Sequence, residues 1–413
     1  MFMKQRQAAI NRSNAGTFAG KPILAESPSH LRHLGKDQPG LRYLLLNVSY
    51  ACGNCCSFCW TSQPPSEVRR QTKDDNLKWF TPAIRHSLLK AFKERGGEVV
   101  AIMADGEPLF GVNLDFVKTL AAVCKDLDLG MLILTNGANL TGSLIGELGA
   151  NPRISFAISI KAGSREKFEA ITNVPNSYER VMANRKAWLS YDQQSPGFHQ
   201  RIHRISVHTQ ISSLLDEQEM MLIRDIVSGL GGVPWYVTSL GNAGNARANP
   251  SIIPTENLSS QLISKYHTGP IAMLSRYGRC SYIVSKFHAD SIYGLTIHPF
   301  NDGSVQSCPY LSAYDSRRWF NLRGFSESSS PNVEAVGQWL DHALLLERMV
   351  TSAVFNAVGY EHCLMRHRRI GEIELFLKKL NRTLADKLME TKVSASDGRC
   401  LAVLTDSLKN LRT

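Results

Sequence analysis

The sequence predicts an α/β protein: a partial (β/α)6 TIM-like barrel with a small β-hairpin and a helical C-terminal extension. Three observations carry this prediction. Six short apolar runs alternate with helix-patterned segments between Arg42 and Leu240, the order that builds parallel βαβ units. Their span of about 200 residues is too short for eight such units at this spacing. Polar and cysteine-rich motifs directly follow several of the runs, and parallel barrels keep their chemistry at the C-terminal ends of the strands.

Residues 1–38 read as a polar, irregular N-terminal arm containing Gly16, Gly20, Pro22, Pro28 and Gly35. Residues 39–250 are expected to form the barrel, and 251–413 the extension. Arg42–Val48 is the first apolar run and a buried strand. Thr81 as N-cap and Pro82 in the first turn open a helix that runs to Arg95 and ends at Gly96-Gly97. Glu98–Met103 is the second strand, followed by a helix over Leu114–Leu127. Gly130–Thr135 is the third strand, with a short helix at Ser143–Leu148. Arg153–Ile160 is the fourth, with helices at Arg165–Ile171 and Tyr178–Tyr191. Arg204–Ile211 is the fifth, with a helix at Asp216–Ser228, and Val233–Leu240 is the sixth. Further on, Tyr293–His298 and Ser304–Ser307 read as a hairpin about Asn301-Asp302-Gly303. Val333–Val358 and Ile370–Leu388 have the apolar spacing of helices.

The composition, 43% hydrophobic and 20% charged over 413 residues, is that of an ordinary globular protein and not of a disordered or fibrous one. There is no run of about 18 apolar residues, so no membrane association is expected. The start, Met1-Phe2-Met3-Lys4-Gln5-Arg6, leads into polar residues and not into the apolar region of a signal peptide. Nine cysteines, an odd number, then point to a reducing, cytoplasmic compartment, where clustered cysteines are metal ligands before they are disulfides. The net charge is +11, with basic runs at Arg366-His367-Arg368-Arg369 and Lys378-Lys379. Such runs are either solvated helix surface or attract an anionic partner such as a nucleotide or an acidic peptide. No nucleic-acid-binding signature accompanies them, so nucleic acid is not the expected partner.

The chemistry centres on Tyr50-Ala51-Cys52-Gly53-Asn54-Cys55-Cys56-Ser57-Phe58-Cys59-Trp60. Cys52, Cys56 and Cys59 have the spacing C-x3-C-x2-C, and three thiolates so placed can hold three irons of a [4Fe–4S] cluster, leaving the fourth iron open to a small molecule. Cys52, Cys55 and Cys59 form an alternative set. A zinc site or a plain electron-transfer cluster would want a fourth ligand nearby. Cys124, in a predicted helix, reads as a small buried residue.

This loop, with the aromatic Phe58 before its last cysteine, resembles the cluster loop of the radical S-adenosylmethionine (radical SAM) superfamily. The resemblance favours the first cysteine set, because it places Phe58 beside the adenine of SAM. It extends to Asp105-Gly106-Glu107-Pro108, which is similar to the family's G-G-E-P element with Asp105 replacing a glycine. Gly106, Glu107 and Pro108 would then receive the ammonium of the methionine half. Thr135, Asn136 and Gly137 resemble the T-N-G that closes the third strand in relatives. Ser159 and Lys161 stand where relatives contact the ribose and carboxylate. His208 and Gln210 end the fifth strand, and Thr238 near the end of the sixth is a candidate adenine contact. The loop Gly241-Asn242-Ala243-Gly244-Asn245-Ala246 is similar to the small-residue loop found there in many relatives.

Cys280, the hairpin and Gly303-x4-Cys308 resemble the start of the auxiliary-cluster extensions called twitch and SPASM, and Cys363 follows beside His362. The resemblance implies a second Fe–S cluster on Cys280, Cys308 and Cys363. Its fourth ligand is open among Cys400, His362, His367 and the substrate. The later cysteines of a SPASM extension are missing.

The resemblance thus implies reductive cleavage of SAM to a 5′-deoxyadenosyl radical that abstracts a hydrogen atom from a peptide or protein substrate. An external donor such as flavodoxin or ferredoxin would supply the electron. A small natural product, such as an aminoglycoside or other sugar, is the alternative substrate, and the absence of a leader-peptide-binding domain from the short arm favours it. A non-catalytic electron-transfer or nucleic-acid-binding protein is the alternative of another class.

Overall fold

The computed structural model describes residues 17–18, 21–22, 43–59, 78–104, 106–194, 203–241, 244–268, 294–297, 305–306, 325, 331–344 and 370–391. The six predicted core strands are present: β1 Tyr43–Val48, β2 Val99–Ala104, β3 Gly130–Thr135, β4 Ile154–Ser159, β5 Ile205–Ile211 and β6 Trp235–Ser239. Two more, β7 Gly294–Ile297 and β8 Val305–Gln306, form the hairpin. The strand order is β8-β7-β1-β2-β3-β4-β5-β6. β1 to β6 form the parallel sheet of a partial (β/α)6 barrel, with helices in the connections. Near-continuous apolar runs such as Gly130–Thr135 suit strands covered on both faces.

Two compact units make up the chain: Gln38–Cys52 with Trp60–Met131 and Cys280–Thr413, and Met1–Asp37 with Gly53–Cys59 and Leu132–Arg279. In the first, β1 pairs in parallel with β2, Tyr43 opposite Val99. Helix α1, Pro82–Glu94, starts as predicted: Thr81 accepts from the amide of Ile84, and Pro82 sits in the first turn. Gly96, at φ +83°, turns the chain out of the helix. Helix α2 covers Val112–Asp126. Leu44, Leu46, Phe80, Leu88, Phe92 and Val117 are fully buried.

The C-terminal elements build onto the same core. β7 lies parallel to β1, Tyr43 opposite Gly294, while β8 closes the hairpin with Val305 opposite Ile297. Residues 333–344, here α3, are helical and bury Val336, Trp339, Leu340 and Ala343. Against α1, Arg95 pairs with Asp341 at 3.0 Å, and the Ser87 hydroxyl donates to Pro331 O at 2.9 Å. The rest of the predicted Val333–Val358 helix lies outside the described residues. Helix α4 covers Ile370–Thr391.

In the second unit, β4, β5 and β6 pair in parallel, with Ser159 opposite His208 and Gln210 opposite Thr238. The helices, numbered on from α4, are α5 Gly142–Gly149, α6 Arg165–Thr172, α7 Ser177–Met182, α8 Arg185–Gln193, α9 Glu217–Ser228, α10 Gly244–Ala248 and α11 Glu256–Tyr266. The single helix expected over Tyr178–Tyr191 is instead α7 and α8, broken at Ala183–Asn184. There Asn184 donates through its side-chain Nδ2 to Gly137 O and Ala138 O at 3.0 and 3.1 Å, 47 and 46 positions back in the chain. Helix α11 is a further element. The chain after it borders β6: Thr268 N donates to Trp235 O, and Trp235 N to Thr268 Oγ1.

Candidate functional site

In the first unit, the exit of β1 and the turn after β2 are tied by Asn113, near the start of α2. This side chain is fully buried. Its Oδ1 accepts from Ser49 Oγ at 2.6 Å and Ser49 N at 3.1 Å. Its Nδ2 donates to Ser49 O, Ala51 O and Glu107 O at 3.3, 3.3 and 3.0 Å. Glu107 N closes the arrangement on Ala51 O at 2.8 Å. The Gly106 backbone passes so close that a Cβ there would stand 2.3 Å from Ser49 O and 2.4 Å from Ala51 O, so glycine is required by space. Glu107 is buried, its Oε1 accepting from Leu109 N at 3.2 Å, and Pro108 is buried beside it. The predicted Gly106-Glu107-Pro108 turn therefore packs on the residues that lead into Cys52, which is half-buried.

The remainder of the cysteine loop belongs to the second unit and is clamped there. Cys55 N and Ser57 N donate to Thr172 O and Ile171 O at 2.9 and 2.8 Å, carbonyls that the C-terminus of α6 would otherwise leave without an intrahelical partner. Asn173, left-handed at φ +53°, donates through Nδ2 to Cys55 O at 2.9 Å. Asn245, in α10, donates its amide to Cys59 O at 2.8 Å and its Nδ2 to Cys56 O at 3.1 Å. A turn brings Cys59 N to Cys56 O at 3.1 Å. Cys56 is buried and Cys55 and Cys59 half-buried. Burial pushes the Cys56 thiol up to about 11, against the pull of the Lys161 cation. Phe58 is buried, with Lys161 Nζ 5.3 Å from its ring centroid.

The ends of β4 to β6 gather most of the other candidates. Lys161 Nζ donates to Ser159 Oγ at 2.6 Å, and His208 Nε2 meets Thr238 Oγ1 at 3.0 Å. Burial, then the Lys161 and His267 charges, push His208 down to about 3. Gln210 lies on the same half-buried side of β5 as His208. Thr135 and Asn136 build the turn after β3, accepting from Gly137 N and Ala138 N at 3.1 and 2.9 Å.

Asp105 and the proposed auxiliary ligands Cys280, Cys308 and Cys363 lie outside the described residues. Asn113, Asn173 and Asn245 carry no cofactor-binding motif. The available signals were Asn113 at the start of a helix just after Asp105-Gly106-Glu107-Pro108, and Asn245 within a small-residue loop.

Among the described residues, no three His, Cys, Asp or Glu side chains already stand as a metal-holding group. The donor set nevertheless fits an iron–sulfur cluster. The cysteine loop offers soft thiols on a backbone held in place by protein contacts, and a bound metal deprotonates a coordinating thiol outright. The Oγ of Ser57, within the loop, is buried and, among the described residues, without a hydrogen-bond partner. A buried donor left unmade costs about 1–3 kcal/mol, and a sulfur of the cluster would relieve it. No described helix is long and apolar enough to cross a membrane.

An uncharacterized protein of Methanocaldococcus jannaschii is 36% identical over 94 residues, 23% of this chain. The match spans only 32% of that relative's length. Among solved structures, the Streptococcus suis protein SuiB bound to precursor peptide SuiA is 13% identical, with a TM-score of 0.47 and coverage of 73% of this chain and 68% of that one. Escherichia coli coproporphyrinogen III oxidase, HemN, a radical SAM enzyme, is 12% identical, with a TM-score of 0.40 and coverage of 59% and 55%. The sequence pattern that defines the radical SAM superfamily matches residues 46–194, from within β1 through the cysteine loop to the residue after α8. Over residues 46–194, the stretch that holds the cysteine loop, the chain is therefore similar to the radical SAM superfamily.

Proposed function

We propose that the protein reductively cleaves S-adenosylmethionine and uses the resulting radical to take a hydrogen atom from a peptide or protein side chain. The clamped cysteine loop carries the reading. Its backbone polar groups at Cys55, Cys56, Ser57 and Cys59 are held by α6, Asn173 and Asn245, a supported loop of the kind a metal site needs.

Cys52, Cys56 and Cys59 would hold the [4Fe–4S] cluster. When bound, the cluster would supply the one electron needed to cleave S-adenosylmethionine reductively to methionine and the 5′-deoxyadenosyl radical that would take the substrate hydrogen atom. Gly106, Glu107 and Pro108 would take the ammonium of the methionine half, with the buried Glu107 supplying charge. Lys161, steadied by Ser159, is a cation suited to the carboxylate. Phe58 offers an apolar face to adenine, and Thr135, Asn136, His208, Gln210 and Thr238 are the remaining candidate contacts. Held neutral by its lowered pKa, the half-buried His208 would act as a hydrogen-bonding group and not as a second cation.

The substrate class is supported by the Cys280–hairpin–Cys308 pattern, similar to extensions of peptide-modifying relatives, and by a net charge of +11 that suits an acidic peptide. A second cluster on Cys280, Cys308 and Cys363, a flavodoxin- or ferredoxin-like donor and a cytoplasmic location belong to the same proposal. Anaerobic reconstitution, reduction and chromatographic detection of 5′-deoxyadenosine test it. An intact cluster that yields none would overturn the enzyme reading.

A further inference from the structure

Ser57 stands between Cys56 and Phe58. Its amide donates to Ile171 O at 2.8 Å, which fixes the backbone there. The amides of Cys55 and Cys59 are likewise turned to backbone oxygens, Thr172 O and Cys56 O, at 2.9 and 3.1 Å. The Ser57 hydroxyl differs from these donors: its Oγ is buried and has no hydrogen-bond partner among the described residues. A serine hydroxyl rotates to suit its acceptor, and a buried donor gains most from an acceptor that carries charge. The residue before it and the second residue after it are cysteines proposed to hold the cluster.

We propose that the Ser57 hydroxyl donates a hydrogen bond to a sulfur of the iron–sulfur cluster and so raises its reduction potential. The inference rests on the cluster reading above and names a residue that tunes the cluster without touching substrate. Reduction adds one electron from the external donor and no proton, so negative charge grows on the cluster sulfurs. A hydrogen bond to sulfur then stabilises the reduced form more than the oxidised one, and such bonds are among the determinants of cluster potential. Three loop amides are committed to carbonyls, whereas the Ser57 hydroxyl is a donor with no partner among the described residues.

The test uses the full chain, reconstituted anaerobically without S-adenosylmethionine, as wild type, Ser57→Ala and Ser57→Thr. Iron and sulfide content and the thermal midpoint are measured first. A dye-mediated titration, followed by electron paramagnetic resonance, then gives the potential. In Ser57→Ala the ratio of reduced to oxidised cluster at a fixed potential should fall about tenfold, equivalent to 59 mV for one electron, with iron content and melting unchanged. Ser57→Thr, which keeps the hydroxyl, should titrate like wild type. Equal potentials for wild type and Ser57→Ala at equal iron content would overturn the inference and leave the cluster reading standing. A wild type that binds no iron–sulfur cluster would overturn both. If Ser57→Ala loses its iron, Ser57→Gly, which also lacks the hydroxyl and adds no new ligand, takes its place: a wild-type potential there also overturns the inference, and a lowered one supports it.

Discussion

A methyl group at position 106 has nowhere to go. The Cβ would meet Ser49 O at 2.3 Å and Ala51 O at 2.4 Å, both backbone atoms, so the turn or the exit of β1 must shift. Gly106→Ala should cost about 1–3 kcal/mol, the usual range for overpacking, read as a lower denaturation midpoint. The cysteines separate by a different readout. Cys52→Ala, Cys56→Ala and Cys59→Ala should each abolish 5′-deoxyadenosine formation, whereas Cys55→Ala should retain it. An active Cys56→Ala and an inactive Cys55→Ala would reverse the assignment. At His208, the folded pKa of about 3 lies below its ordinary value of 6.5, so from pH 6.5 towards 3 the unfolded chain binds the extra proton. Stability is therefore unaffected at pH 7 and falls on acidification. Two units of pH, from 7 to 5, should remove at most about 2 kcal/mol through this residue. The half-buried ring keeps some access to water, which lessens the loss. His208→Gln should flatten that part of the pH–stability profile, measured by chemical denaturation.

Among the elements, the core strands and most of the helices were legible because apolar runs and end signals act locally: Thr81-Pro82 opens α1 and Gly96 closes it. Cofactor candidates placed by motif fell at strand ends for the same reason. The clamps were not legible. Asn113, Asn173 and Asn245 act across 62, 118 and 189 positions in the chain, on Ala51, Cys55 and Cys56, and no local pattern encodes such a partner. The break between α7 and α8 has the same origin, since Asn184 is engaged with the turn after β3. Asn245→Ala should leave overall stability within about 1 kcal/mol, the worth of one hydrogen bond, yet speed the loss of iron from the reconstituted protein. A chelator time course followed by absorbance checks this. Iron retention equal to wild type would show that the loop keeps its ligands in place without this clamp.

For the molecule as a whole, iron content decides the proposal for the C-terminal cysteines: about four irons per chain after reconstitution means one cluster, about eight means two, and changing Cys280, Cys308 and Cys363 together to Ala should bring the larger number down to the smaller. The pairing of β7 with β1 has a consequence of another kind. A strand with one side bare presents unmatched amides and carbonyls to any other extended chain, which is how sheets recruit their own copies. Gly294–Ile297 covers that side of Tyr43–Leu46. A chain ending at Thr268 would keep every cysteine of the first loop and still expose this flank. It should self-associate in size-exclusion chromatography, through this flank and through the apolar surface that Val336, Trp339 and Leu340 otherwise cover.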